Sequence, residues 1–334
     1  MMRPGFSTLV VAASLLVFLS AGCPNPGSVS GEYLVETDEG TRQFRMFVPS
    51  SYDGTRTAPL VIAVHQLLHT TNDFAWVTNL ESLAEEQGFI VVFPDGLLTG
   101  WLSVPEEYRP FPLVDFPSVR DVVDDVAFVS TLIDALSAGM NIDKGRVYVC
   151  GASNGGMMSY VLASELSDRV AAVAVVMATM PDCFMSQNEP GPPIPLLIMH
   201  GTADPVIPYE GGGILGLDLL LAFAQRVDLL NLSALNFLSA EETAAYWASW
   251  NQTDPTPSVE ALPDTDPHDG TTVVRSTYSG GLDGSEVVLY TINGGGHTWP
   301  GAPEYLPEIV AGRTCRDIDA TAVIWEFFQR FRRE

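Results

Sequence analysis

The run Arg146-Val-Tyr-Val-Cys150 reads as a buried strand, and Gly151-Ala-Ser153-Asn-Gly155-Gly156 follows it directly. Small residues on both sides of Ser153 let the chain turn sharply from strand into helix, with one hydroxyl held clear of the sheet. No other stretch constrains the fold as much, because such a turn needs a sheet whose strands feed into helices. The remaining pattern supplies one. Pro59-Leu-Val-Ile-Ala-Val-His65 is a continuous apolar run of the kind buried on both faces of a parallel sheet. Further strands are expected at Phe89–Phe93, Val170–Met177, Pro195–His200 and Glu286–Ile292. Helices are expected over Asp73–Gln87 (closed by Gly88), from about Asp121 to Ala138, after Ser153, and over Asp317–Arg333. Glu32–Thr37 and Arg42–Val48 flank Asp38-Glu-Gly40 as a hairpin, and residues 94–118 form a loop rich in proline and aromatic residues. Strands alternating with helices give an α/β fold, a mostly parallel sheet with helices on both faces, as one domain over residues 32–334.

Composition narrows the partners. The 334 residues carry 41 acidic and 16 basic side chains, a formal charge of −25. Phosphate backbones and anionic membrane surfaces repel such a chain, which excludes nucleic acid and electrostatic membrane binding. A hydrophobic content of 46% excludes disorder for the bulk of the sequence. Lys144 is the single lysine and falls in what reads as an exposed turn, Asn141–Gly145, a poor place for Schiff-base chemistry.

Residues 1–22 read as an export signal. Arg3 precedes an eleven-residue apolar run, Leu9 to Leu19, too short for the roughly 20 residues that span a bilayer. It ends in Leu19-Ser-Ala-Gly-Cys23, which resembles the lipobox of bacterial lipoproteins and implies cleavage before Cys23 and acylation of its thiol. An ordinary secretory signal cut near Gly22 is the alternative. Residues 23–31 then form a flexible tether rich in proline, glycine and serine. Of the other cysteines, Cys150 lies in a strand and is expected to be free, while Cys183 and Cys315 fall in loops and are the candidate disulfide pair. No spacing suggests a metal site.

The stretch 214–237 is unusual for its density of leucine and phenylalanine on more than one helical face. It is expected to be an apolar cap insertion over a pocket, a surface touching lipid, or an extra helix packed on the domain.

A serine hydroxyl needs a base to become a nucleophile, and the base needs an orienting carboxylate. In folds with this elbow the order is serine, then acid, then histidine, the last two in loops after strands. His297 follows the strand 286–292 through Asn293-Gly-Gly-Gly296, and Asp204 follows the strand 195–200 in Gly201-Thr-Ala-Asp204-Pro. His65, His69 and His200 come too early, and His268 lies in a polar turn. Asp124 and Asp125 begin a helix, where carboxylates face the favourable end of its dipole.

Gly151-Ala-Ser-Asn-Gly-Gly-Met-Met158, His200-Gly-Thr-Ala-Asp-Pro-Val-Ile-Pro208 and Gly294-Gly-Gly-His-Thr-Trp-Pro-Gly301 resemble the secreted polyhydroxybutyrate depolymerase and feruloyl esterase family. Phe93–Gly96 and Val123–Val126 are similar to segments of the same family, an α/β-hydrolase group allied to the first carbohydrate esterase family. The resemblance runs from about residue 32 to 330. It implies an α/β-hydrolase fold, Ser153 as nucleophile, His297 as base and Asp204 as acid, with Trp101 and Trp299 as substrate contacts. The implied substrates are hydroxyalkanoate polyesters or oligomers, or feruloyl and acetyl esters of polysaccharide, with no metal or organic cofactor. The oxyanion is expected on the backbone N–H groups of Asn154 and Leu67. The family usually has glycine after the strand ending at His65, and this chain has Gln66-Leu67-Leu68. That departure keeps open a non-catalytic ligand-binding surface lipoprotein with a hydrolase fold, and a serine peptidase, which could use the same triad, is a lower alternative. Neither a protein partner nor a membrane contact beyond the lipid anchor is implied.

Overall fold

The computed structural model describes residues 29–38, 40–97, 100–101, 124–186, 191–214 and 236–334. Residues 1–28, which hold the expected export signal, Cys23 and most of the expected tether, and most of the apolar stretch 214–237 lie outside the described residues.

A ten-stranded sheet organises the domain, in the order β1-β2-β4-β3-β5-β6-β7-β12-β11-β10. Its centre is parallel: β4 (Ile90–Pro94), β3 (Ala58–Val64), β5 (Ile142–Ala152), β6 (Ala172–Val176), β7 (Leu196–Gly201) and β12 (Val287–Asn293). Antiparallel strands finish both edges, the expected hairpin β1 (Gly31–Thr37) and β2 (Gly40–Phe47) on one side, β11 (Thr272–Tyr278) and β10 (Ser258–Ala261) on the other. The fold is thus α/β with a mostly parallel centre, consistent with an α/β-hydrolase.

Side chains of β3 alternate between two cores, as a period of two requires. Leu60, Ile62 and Val64 join the core formed with α3 (Asp125–Gly139), α4 (Asn154–Glu165) and α5 (Ala240–Trp250), where Phe128, Tyr160 and Trp247 are buried. Val61 and Ala63 join the opposite core, with α1 (Thr71–Thr78), α2 (Leu80–Gln87) and α7 (Ala320–Phe328), around Phe74, Phe89, Trp325 and Phe328. The short α6 (Glu308–Ala311) lies between β12 and α7 in sequence.

Several expectations are corrected. The helix over Asp73–Gln87 is two helices, α1 and α2, broken at Asn79, which takes φ 51 and caps both. Asparagine is among the few non-glycine residues that enter this region readily, so a break can occur without glycine or proline. The final helix covers Ala320–Phe328, with the Asp319 side chain accepting from the Thr321 and Ala322 N–H groups. The helix α5 and the edge strands β10 and β11 were not expected; a capping box of Ser239 and Glu242 marks the start of α5. Asp124 is the N-cap of α3, as its position suggested, but Asp125 does more, forming a buried ion pair with Arg42 at 2.9 Å.

The proposed disulfide is absent. Cys183 and Cys315 are both buried and are not bonded to each other: Cys183 lies in the α3–α4–α5 core and Cys315 in the other, so the sheet separates them. Cys150 is a buried free thiol. The stretch 214–237 leaves and re-enters through a two-stranded ribbon, β8 (Gly212–Gly213) with β9 (Asn236–Phe237), so its ends are adjacent. Among the described residues no helix is long and apolar enough to cross a membrane.

Candidate active site

The turn at Ser153 is built by close approach. Ser153 takes φ 53 and ψ −120 between β5 and α4, and its N–H donates to the Val176 carbonyl at 3.0 Å. A β-carbon on Gly155 would lie 2.2 Å from the Val64 carbonyl oxygen, and one on Gly151 would lie 2.3 Å from the Gly155 carbonyl oxygen. Neither position admits a side chain, which is why the elbow is written in glycine.

His297 arrives from the end of β12. Gly294 turns the chain with φ 73, and Gly296 packs so closely that a β-carbon would meet the Ala311 carbonyl oxygen at 2.1 Å. The imidazole lies between the other two residues picked from the sequence: Nε2 is 2.9 Å from Ser153 Oγ, and Nδ1 is 2.8 Å from Asp204 Oδ2. All three residues are buried.

Asp204 is held from several directions. Its Oδ1 accepts the N–H groups of Val206 at 2.7 Å and Ile207 at 2.9 Å, which leaves Oδ2 for the histidine. An ionised carboxylate accepts only, so His297 carries its proton on Nδ1 and offers a bare Nε2 to the serine hydroxyl. His200, fully buried on β7, has Nε2 at 2.9 Å from the Ile207 carbonyl, pinning the turn on which Asp204 sits. Burial pushes the His200 pKa down, which keeps that imidazole neutral.

The loop after β3 approaches the elbow. The His65 ring is fully buried; its Nε2 accepts the Gly96 N–H at 2.9 Å, so its own proton is on Nδ1 and is donated to the Gln66 carbonyl at 2.9 Å. Peptide bonds are planar and none among the described residues is cis, so the Leu67 N–H points away from that carbonyl. Leu67 is half-buried, and its side chain lies close to Gly100. A backbone hydrogen bond from the His69 N–H to the Gln66 carbonyl, 3.3 Å, closes the turn.

The two tryptophans do not line the site. Trp101 is 1% exposed and acts as a strut: its indole N–H donates to the His65 carbonyl at 2.9 Å, and its backbone N–H donates to Asn154 Oδ1 at 2.7 Å. Trp299 is equally buried, donating to Thr321 Oγ1 at 3.0 Å and packing edge-on against Phe74. Both large rings are consumed by the interior, the commoner fate of tryptophan.

Gln66, His69 and Tyr305, none of which was given a role from the sequence, meet at the loop. Gln66 Nε2 is 2.8 Å from His69 Nε2, and the His69 ring meets the Tyr305 ring edge-on at 5.8 Å between centroids. Burial lowers the His69 pKa to about 4, against the opposing pull of Asp73. Burial raises the Tyr305 pKa, and the facing Gln66 side chain partly offsets this. Polar residues immediately after the strand-end His65 were the available signal.

Among the described residues, Asp269, Cys315 and Asp317 bring potential ligand atoms within 4.8 Å of one another. Their carboxylates accept backbone N–H groups of Thr271, Arg316, Thr265 and Asp266, and burial raises the pKa of the thiol. This is the bonding of a loop staple.

Comparison with known proteins adds the family. The family model described as Esterase PHB depolymerase matches residues 43–182. NocK of Nocardia uniformis subsp. tsuyamanensis, a protein with an esterase name, is 30% identical over 291 residues, covering 86% of this chain and 79% of its own length. The chain belongs to this esterase family. Feruloyl esterase B of Piromyces equi is 27% identical over 257 residues, 75% of this esterase but 41% of the longer relative. The solved acetyl xylan esterase from Aspergillus awamori superposes with a TM-score of 0.53 over 80% of the chain and 94% of its own, at 18% identity, a likeness of fold. The protein is therefore a carboxylic ester hydrolase.

Proposed function

We propose that the esterase cleaves its substrate through an acyl-enzyme on Ser153, with His297 as general base and Asp204 as the acid that orients it. The observation that carries this reading is the position of His297, within hydrogen-bonding distance of both Ser153 Oγ and Asp204 Oδ2 while buried. His297 takes the serine proton as Oγ attacks the ester carbonyl and returns it to the leaving alcohol. Water then repeats the sequence to release the acid. The negative oxygen of each tetrahedral intermediate is received by the N–H groups of Asn154, at the first turn of α4, and Leu67. No step draws on a cofactor.

The substrates proposed are esters of hydroxyalkanoates, as polyester or oligomer, or feruloyl and acetyl esters carried on polysaccharide. The names of the relatives support this range. Export with acylation at Cys23 is proposed on the N-terminal pattern alone.

Hydrolysis of p-nitrophenyl butyrate by the protein beside its Ser153→Ala variant tests the mechanism. Loss of at least about 10³-fold in kcat is expected in the variant, together with loss of labelling by a fluorophosphonate probe. Equal turnover in the two proteins would remove Ser153 from the chemistry.

A further inference from the structure

The Leu67 N–H and the Gln66 carbonyl belong to one planar peptide, so they turn together and point in opposite directions. Rotation of that peptide about the two flanking α-carbons is the soft motion that would swing the N–H off its target. Among the described residues the Leu67 N–H donates to no backbone acceptor, so the restraint has to act on the carbonyl end. Two donors reach that oxygen: the His65 Nδ1–H at 2.9 Å and the His69 backbone N–H at 3.3 Å. The first is shorter, and it is the one that comes from a side chain.

His65 is itself fixed on every side. Its ring is fully buried and lies 5.1 Å, between centroids, from the tilted Trp101 ring. The Gly96 N–H, just beyond β4, donates to Nε2 at 2.9 Å. A ring nitrogen that accepts an N–H carries no proton, so the imidazole proton stays on Nδ1, the atom that faces Gln66. The Asp95 carboxylate, 3.6 Å from Nε2, is too distant for a hydrogen bond. The His65 carbonyl accepts the Trp101 indole N–H at 2.9 Å, and a β-carbon on Gly155 would meet it at 2.4 Å. The ring is therefore anchored to a residue packed against the first turn of α4.

We propose that His65 is a positioning residue of the oxyanion hole. Its Nδ1–H, acting through the Gln66 carbonyl, sets the direction of the Leu67 N–H and, by polarising the same peptide, strengthens it as a donor. This role rests on the Ser153 and Leu67 reading given under the proposed function.

The test separates the two ring nitrogens, with p-nitrophenyl butyrate as substrate and Ser153→Ala as the blank. In His65→Asn the amide nitrogen stands near the place of Nδ1 and still donates to Gln66, while the Gly96 N–H loses its acceptor. In His65→Gln the amide oxygen stands near the place of Nε2 and keeps Gly96, while no donor reaches Gln66. His65→Asn is expected to lower the urea midpoint yet hold kcat within about threefold of the parent. His65→Gln is expected to lower kcat about tenfold or more, with KM changed less than about twofold, because an oxyanion contact acts on the transition state. It should also discriminate less between the ester and its thiono analogue, in which sulfur replaces the carbonyl oxygen that the hole receives. An unchanged kcat in folded His65→Gln, an effect on KM alone, or equal losses of kcat in the two variants would overturn the role of His65. Heteronuclear NMR of the parent with isotopically labelled histidine reads the tautomer independently. A proton on Nδ1 is expected, and a proton on Nε2 would overturn the role even if neither variant folded. Turnover that depends on Ser153 beside an unmoved His65→Gln removes His65 alone. No Ser153-dependent turnover in the parent removes the Ser153 reading and this role with it.

Discussion

The elbow around Ser153 and the loop from His65 to His69 pack against each other, yet their unusual backbones are secured by opposite means. At the elbow, Ser153 has a positive φ because its neighbours permit nothing else. Gly151 and Gly155 sit against backbone carbonyl oxygens at distances that admit no β-carbon. In the loop, Leu68 has a positive φ although its side chain opposes it, and hydrogen bonds from His65, Gln66 and His69 surround the turn. Steric exclusion writes itself into the sequence as glycine. A conformation held by bonds leaves no fixed residue type, and it can be undone by changing a residue next door.

The largest effect that separates the two regions is expected at residue 155. Gly155→Ala puts a methyl group against the Val64 and His65 carbonyl oxygens, backbone atoms that cannot step aside. Destabilisation of more than about 3 kcal/mol is expected, at the upper end of overpacking costs, together with loss of turnover. Leu68→Gly should change stability by no more than about 1 kcal/mol, since relief of strain offsets the greater freedom of the unfolded chain. Urea unfolding of both variants decides the matter. A tolerated Gly155→Ala beside a severely destabilised Leu68→Gly would invert the comparison.

A smaller effect is expected from pH. His69 has its pKa lowered from 6.5 to about 4 by burial, so the unfolded chain binds the proton more readily between those values. The stability contributed by neutral His69 is present above pH 6.5 and is lost as pH falls toward about 4. Over that window it amounts to roughly 2–3 kcal/mol. His69→Gln removes this titration while leaving the other acid-sensitive groups in place. The difference in unfolding free energy between variant and parent should therefore move in favour of the variant as pH drops from 7 to 4. A constant difference would mean that His69 is not buried neutral.

The same contrast explains what could be read from the sequence. Ser153, Asp204 and His297 were legible because each follows a strand in a short loop with its own glycine or proline punctuation, and the structure brings the three together. The parallel centre of the sheet was legible as apolar runs such as 59–65. The edge strand β11 was not, because Thr272–Tyr278 mixes buried and half-exposed positions without a clean alternation. Trp101 and Trp299 misled because an aromatic residue near a motif carries no sign of which way it faces. Cys183 and Cys315 misled because loop position says nothing about which side of a sheet a thiol occupies.

The smallest predicted effect concerns the strut between the regions. Trp101 ties the loop to the elbow by three hydrogen bonds, one from its indole to the His65 carbonyl and two between its backbone and the Asn154 side chain. Trp101→Phe keeps the backbone pair and most of the buried ring but removes the indole N–H. The His65 carbonyl, now buried without that donor, should cost about 1–2 kcal/mol in stability. If loop and elbow were independently rigid, kcat would not follow. Because the His65–Gln66 peptide leads into the turn that presents Leu67, a fall of about threefold to tenfold in kcat with little change in KM is expected. Steady-state kinetics on p-nitrophenyl butyrate measures this directly. An unchanged kcat in a protein destabilised by the expected amount would show that the loop keeps its own geometry through His65, Gln66 and His69, without help from the elbow.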